Sequence, residues 1–194
     1  MKCSKCIKKL CYTGKNCRKD ITEEILEEYN KKENLKIAEV SSYIEAIYYM
    51  KITRLEEIIE FCKLMDYKKI GIAFCIGLEN EAKILDEILS QHFDVYSVCC
   101  KVCGIDKDIL KLKKINNNNK EAMCNPIGQA KILNEIGTDL NIIVGLCIGH
   151  DILFQKYSKA PTTTFIVKDR VLSHNPAGAL YSKYYLKKLK NLKS

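Results

Sequence analysis

The sequence predicts an α/β fold built on a mainly parallel sheet, and three observations carry that prediction. From residue 69 onward, short apolar runs alternate with stretches of helical period, a pattern that implies parallel strands joined by crossover helices. The apolar runs are nearly continuous, as expected of strands covered on both faces. Several of them close on a cysteine. The expected architecture is Rossmann-like and three-layered, with flanking helices, and is preceded by helices and a small cysteine-rich metal knot.

The elements follow in order. Residues 1–20 form a head that holds Cys3, Cys6, Cys11 and Cys17. Residues 21–33 have acids early and lysines late, which suits a helix macrodipole, with Thr22 as a candidate cap. Residues 40–50 predict a second helix capped by Ser41 or Ser42. Residues 53–66 place Leu55, Ile58, Ile59, Cys62 and Met65 on one helical face, so Cys62 is expected to be a packed core thiol. Residues 69–75 predict the first strand, 78–91 a helix, 93–99 the second strand and 105–112 a short helix. A polar loop follows at Asn116–Asn119. Asn125-Pro126 offers an N-cap followed by Pro at the first helical position, opening a helix over 125–136. Residues 140–147 predict the third strand, 150–158 a helix and 163–168 the fourth strand. A last helix is expected after Asn175-Pro176, whose sequence echoes Asn125-Pro126. The domains so read are the head 1–20, a helical segment 21–66 packing on the main domain, and the α/β domain 67–194.

Composition narrows the function classes. With 194 residues and 47% hydrophobic content the chain can build a full core. It has no apolar run long enough to span a bilayer, and no hydrophobic region follows the basic start as a signal peptide would require. The expectation is a cytoplasmic protein without a membrane partner. Thiols stay reduced in that compartment, and an odd count of eleven cysteines fits metal binding better than a disulfide framework. The net charge of +8 is concentrated at the ends: the first twenty residues hold seven Lys/Arg against one Asp, and residues 183–194 hold five Lys and no acid. The stretch between is net acidic, and metal thiolates would add negative charge. The basic balance therefore indicates solvated ends and disfavours a nucleic-acid partner.

The cysteines fall into two groups. The head spacing Cys3-x2-Cys6-x4-Cys11-x5-Cys17 brings four soft ligands within fifteen residues, a set that suits zinc or a second iron–sulfur cluster. The other group needs the fold. In an open parallel sheet, ligands bind outside the carboxyl ends of the strands. Cys75, Cys99, Cys100 and Cys147 are predicted to end strands, Cys103 completes Cys100-x2-Cys103, and Cys124 precedes the Asn-Pro helix start. Cys75, Cys100, Cys103, Cys124 and Cys147 are therefore candidate ligands of an iron–sulfur cluster, expected as [4Fe–4S], at one edge. Helix N-termini on the same edge favour thiolates and anionic ligands.

Cys99, His150 and Asp151 are the candidate catalytic residues, His150-Asp151 lying just beyond Cys147. His174 is a weaker candidate, His92 is expected at the surface, and Asp106 and Lys107 are expected in a solvated loop. Cys75-Ile76-Gly77 resembles a phosphate-binding turn, but the chain has no G-x-G-x-x-G, P-loop, G-x-S-x-G or H-E-x-x-H motif.

The segments KKIGIAFCIGLENEA, CCKVCGIDK, CNPIGQAKILNEIGTDLNIIVGLCIGHD and VKDRVLSHNPAGALY resemble an uncharacterised metal-binding protein family of anaerobic bacteria and archaea, a domain of unknown function with a cysteine-rich N-terminal head. The resemblance extends over nearly the whole chain. It implies metal binding, supports Cys75, Cys103, Cys124 and Cys147 as a site, and supplies no catalytic residue. The expected function is a cytosolic metal-binding protein with redox or sulfur-transfer chemistry on a small anionic or sulfur-containing ligand. The alternatives are a non-enzymatic zinc or iron carrier or sensor, and a metal-free dithiol protein using Cys100-x2-Cys103 or Cys99-Cys100.

Overall fold

A computed structural model of the chain describes residues 1–190. It forms two compact units, Met1–Ile52 and a second that begins at Thr53.

In the first unit the head is a series of single 3-10 turns, at Cys3–Lys5, Leu10–Thr13 and Lys19–Ile21. Helices α1 (Thr22–Tyr29) and α2 (Lys32–Tyr48) follow. Thr22 is not an N-cap: its hydroxyl donates to the Arg18 carbonyl at 3.0 Å and accepts from Asn16 at 2.7 Å. The second helix begins nine residues before the expected Ser41 cap. Nothing between Lys32 and Glu39 breaks a helix, and the Ser41 hydroxyl is satisfied inside it by donating back to the Ile37 carbonyl at 2.7 Å.

The second unit opens on α3 (Arg54–Met65), where Thr53 and Glu56 form a reciprocal capping box. Then come β1 (Lys69–Phe74), α4 (Glu79–Leu89), β2 (Asp94–Cys99), α5 (Pro126–Ile136), β3 (Leu140–Val144), α6 (Ile148–Tyr157) and β4 (Thr162–Ile166). The four strands are parallel in the order β2-β1-β3-β4. The predicted α/β class with helices on both faces is therefore the observed one. Side-chain alternation divides the core into two layers. Ile70, Ile72, Ile142 and Val144 pack with Ile59 and Cys62 of α3 and Leu85 of α4. Ala73 and Ile143 pack with Ala130 and Leu133 of α5 and Phe154 of α6. Cys62 is fully buried as expected, and burial, aided by the charge of Asp139, pushes its thiol up to about 12.

Gly71 makes the second layer possible. A Cβ there would strike the Asn141 side chain. Asn141 is fully buried, accepting from Thr138 and donating to Ser158 at 2.8 Å each. The third strand is shorter than expected: it stops at Val144 because Gly145 turns the backbone to φ +66°. The last expected helix is split into α7 (Gly178–Tyr181) and α8 (Lys183–Lys190). The Asn175-Pro176 echo does not cap it, since Ala177 occupies the N-cap position.

Candidate functional site

The strand order fixes where a ligand would sit. From β1 the chain crosses to β2 on one side, and from β3 it crosses to β4 on the other. The crevice outside the carboxyl ends of β1 and β3 is thus the topological switch point. Cys75 follows β1 directly, and its amide donates to the Val144 carbonyl at 3.1 Å. Cys100 follows β2, its amide donating to the Phe74 carbonyl at 2.8 Å.

Cys124 reaches the same place through Asn125. The Asn125 amide donates to the Cys100 carbonyl at 2.7 Å. Its side chain caps α5 by accepting from the Gly128 amide at 2.8 Å and donates to the Val102 carbonyl at 3.2 Å. Gln129, fully buried, extends the anchor by donating to the Phe74 carbonyl at 3.1 Å and the Val98 carbonyl at 2.6 Å. Cys147 arrives differently. It does not end β3, as expected from sequence, but is the N-cap of α6. A Cβ at Gly145 would strike Leu78, so a residue with a side chain could not make that turn without displacing Leu78.

The thiols of Cys100 and Cys124 are hydrogen-bonded to each other. The Cys100 thiol donates, which brings Cys124 down to about 5, with the charges of Lys101 and His150 adding to the effect. Cys100 moves the opposite way, because its proton is held by the Cys124 thiolate and by burial. One proton is in effect shared by the pair. The Ile76 amide points at Cys100 Sγ at 3.4 Å. Arg170 Nη2 donates to Cys147 Sγ at 3.0 Å. The guanidinium is raised by that bond first, and also by Cys75 and Cys124. Cys75, Cys100, Cys124 and Cys147 therefore lie in one electrostatic neighbourhood, with Lys101, His150 and Arg170 as counter-charges.

Other expected residues are placed elsewhere or do other work. Cys103 is exposed at φ +70°, and among the described residues its thiol makes no hydrogen bond. Cys99 is half-buried, its Sγ accepting from the Lys101 amide at 3.5 Å. Asp151 is raised by burial, opposed by a 2.7 Å hydrogen bond from Gln155. Lys107 pairs with Glu121 at 2.6 Å, and Asp106 caps a short 3-10 turn. His92 is exposed, edge-on to Phe93. His174 is a structural acceptor: its Nδ1 takes the Asp169 amide at 3.1 Å, closing the turn that carries Arg170.

Lys168 and Arg170 went unpredicted. The nearest signal was the basic spacing in Val167-Lys168-Asp169-Arg170 just after the fourth strand.

The head differs from this edge. Cys3, Cys6, Cys11 and Cys17 are all exposed. The hydrogen bonds around them are local, such as Cys6 amide to Cys3 carbonyl at 3.0 Å and Cys17 Sγ to Lys15 carbonyl at 3.7 Å.

A single metal ion needs its ligands at about 2.3 Å from one point. Among the described residues, no group of three or more His, Cys, Asp or Glu is drawn together in that way. The donor chemistry of Cys75, Cys100, Cys124 and Cys147 fits an iron–sulfur cluster, whose net charge of about −2 with four thiolates is offset by surrounding cations.

A family model described as a protein of unknown function, DUF1847, matches residues 13–165. The chain belongs to the DUF1847 family. This bears out the resemblance to a domain of unknown function, although the matched span leaves out Cys3, Cys6 and Cys11 of the head and Arg170 of the edge. Cys75, Cys100, Cys124 and Cys147 all fall within it. The chain is also 86% identical over 189 residues to the uncharacterized protein MJ0455 of Methanocaldococcus jannaschii, covering 97% of this chain and 98% of that one. No solved structure matches. Among the described residues no helix is long and apolar enough to cross a membrane.

Proposed function

We propose that this DUF1847 protein is a cytoplasmic metalloprotein that holds an iron–sulfur cluster through Cys75, Cys100, Cys124 and Cys147, and a second metal, zinc or another cluster, through Cys3, Cys6, Cys11 and Cys17. What supports it is the position of the four cysteines, after β1, after β2, before α5 and at the start of α6, together with the influence of Cys147, Cys75 and Cys124 on one guanidinium, that of Arg170. The cluster would supply electron transfer or a Lewis-acidic iron. The chain's own part is to hold the ligands on strand ends and helix starts, to offset their charge with Lys101 and Arg170, and to present His150 beside Cys124. The test is iron and acid-labile sulfide analysis of anaerobically purified protein, together with its visible absorbance. Iron and sulfide in comparable amounts are expected; a colourless protein holding zinc alone would overturn the cluster.

A second reading is favoured by the hydrogen bond between Cys100 and Cys124. Here the metal-free pair reduces a small disulfide. The Cys124 thiolate attacks one sulfur and expels the other as a thiolate, leaving a mixed disulfide. Cys100 then attacks Cys124 Sγ, its proton passing to a departing thiolate, and an internal disulfide closes as the substrate gains two electrons. Full disulfide reductase activity after chelation and desalting is the outcome that selects this reading over the first.

A further inference from the structure

Two cations meet the cysteine edge from the loop after β4, and one of them has no partner among the described residues. A Cβ built on Gly77 would stand 3.4 Å from Lys168 Nζ, and one built on Gly145 would stand 3.6 Å from Lys168 Cδ. Lys168 therefore lies across the mouth of the β1/β3 crevice. Its ammonium makes no hydrogen bond or ion pair with any described residue. Arg170 approaches from the same loop and spends one guanidinium nitrogen on Cys147, which leaves further donors of its planar fork for another acceptor.

The turn that carries Arg170 is fixed. Asp169 Oδ1 accepts from the amides of Val171 at 2.9 Å and Leu172 at 2.8 Å, and His174 Nδ1 accepts from the Asp169 amide. Asp169 is thereby committed to its own turn and Asp151 to Gln155, and among the described residues neither forms an ion pair with Lys168 or Arg170. The ten-residue helix α6 opens here with no side-chain cap at Cys147, leaving first-turn amides for an outside acceptor. Its start is open: Ile148 is 84% exposed, and nothing lies within 4 Å of a Cβ built on Gly149.

We infer that Lys168, Arg170 and the first turn of α6 form a binding site for a small oxyanion of sulfur or phosphorus, placed beside Cys147. The cradle supplies positive charge and donors from the β4 loop and the helix start. It deepens the functional reading by naming the substrate class, and it rests on that reading only in taking this edge as the working site. Binding to Lys168 and Arg170 sets the oxyanion against the cysteine cluster.

The experiment titrates inorganic sulfate, and separately inorganic phosphate, into the full-length protein as purified, by calorimetry at low ionic strength. Iron and sulfide content are measured on the same samples. Saturable binding is expected for at least one of the two anions, and their comparison identifies which chemistry the site prefers. Lys168→Gln should weaken it about tenfold, from loss of one charge-assisted contact. Lys168→Gln combined with Arg170→Gln should remove saturable binding, Lys168→Arg should restore most of it, and Lys83→Gln on exposed α4 should change nothing. Absence of saturable binding in the unsubstituted protein, or equal binding in the double variant, overturns the inference. Because anion binding is read separately from iron, a protein without a cluster that still binds sulfate through Lys168 would overturn the functional reading and leave this one standing.

Discussion

The N-terminal head and the carboxyl edge of the sheet each bring four cysteines, and they reach that number by opposite routes. In the head the four fall within fifteen residues but remain exposed, tied only into local turns. At the edge, neighbouring cysteines are separated by about two dozen residues in sequence, yet the parallel sheet and two helix starts set them along one edge. The edge also carries counter-charges from Lys101, His150 and Arg170.

Independence of the two regions gives the largest expected effect. Cys124→Ala should remove essentially all iron and sulfide from the edge and leave the head's metal in place, while Cys6→Ala should do the reverse. Elemental analysis of both variants checks this, and loss of both metals in either one would break the comparison. The next effect concerns charge. In reduced, metal-free protein, alkylation of Cys124 should stay fast from neutral pH down to about 5 and fall below it as the thiolate protonates. Removing the donor by Cys100→Ala should move that fall upward, toward the ordinary thiol value of about 8.5. At pH 6 the rate would then drop by roughly two orders of magnitude. The head cysteines should show no change. Mass-spectrometric alkylation rates, site by site, give the answer.

A smaller effect separates the edge from the core beneath it. Cys62→Ser should lower unfolding free energy by about 1–3 kcal/mol, because a hydroxyl would replace a thiol in an apolar, fully buried position. Denaturant melting should show that loss with iron content unchanged.

Legibility followed the same division. Cys75, Cys100 and Cys124 are legible beside strand ends and a helix start because apolar runs and Asn-Pro chemistry mark those positions in the sequence. Cys62 was recognisable from helical spacing. Cys103 was drawn in by its two-residue spacing from Cys100, a local pattern that says nothing of the positive φ that holds it in solvent. Cys147 reads as a strand end in the sequence, but Gly145 has already ended the strand and turned the chain. That glycine was a readable signal. Lys168 and Arg170 were invisible because a lysine and an arginine in a polar turn look the same in sequence whether they face water or a crevice; only the close approach of Lys168 to Gly77, and the hydrogen bond from Arg170 to Cys147, distinguishes them.

The Gln129 carboxamide has a mechanical consequence. Its two hydrogen bonds reach the last carbonyl of β1 and the penultimate carbonyl of β2 from the first turn of α5, so the segment that carries Cys124 is clamped to both strands instead of hanging as a loop. Amide protons at the start of α5 should therefore exchange with solvent as slowly as those of the sheet itself. A displacement of Cys124 has to carry the helix with it or break those bonds, so chemistry at one sulfur is registered along the length of α5.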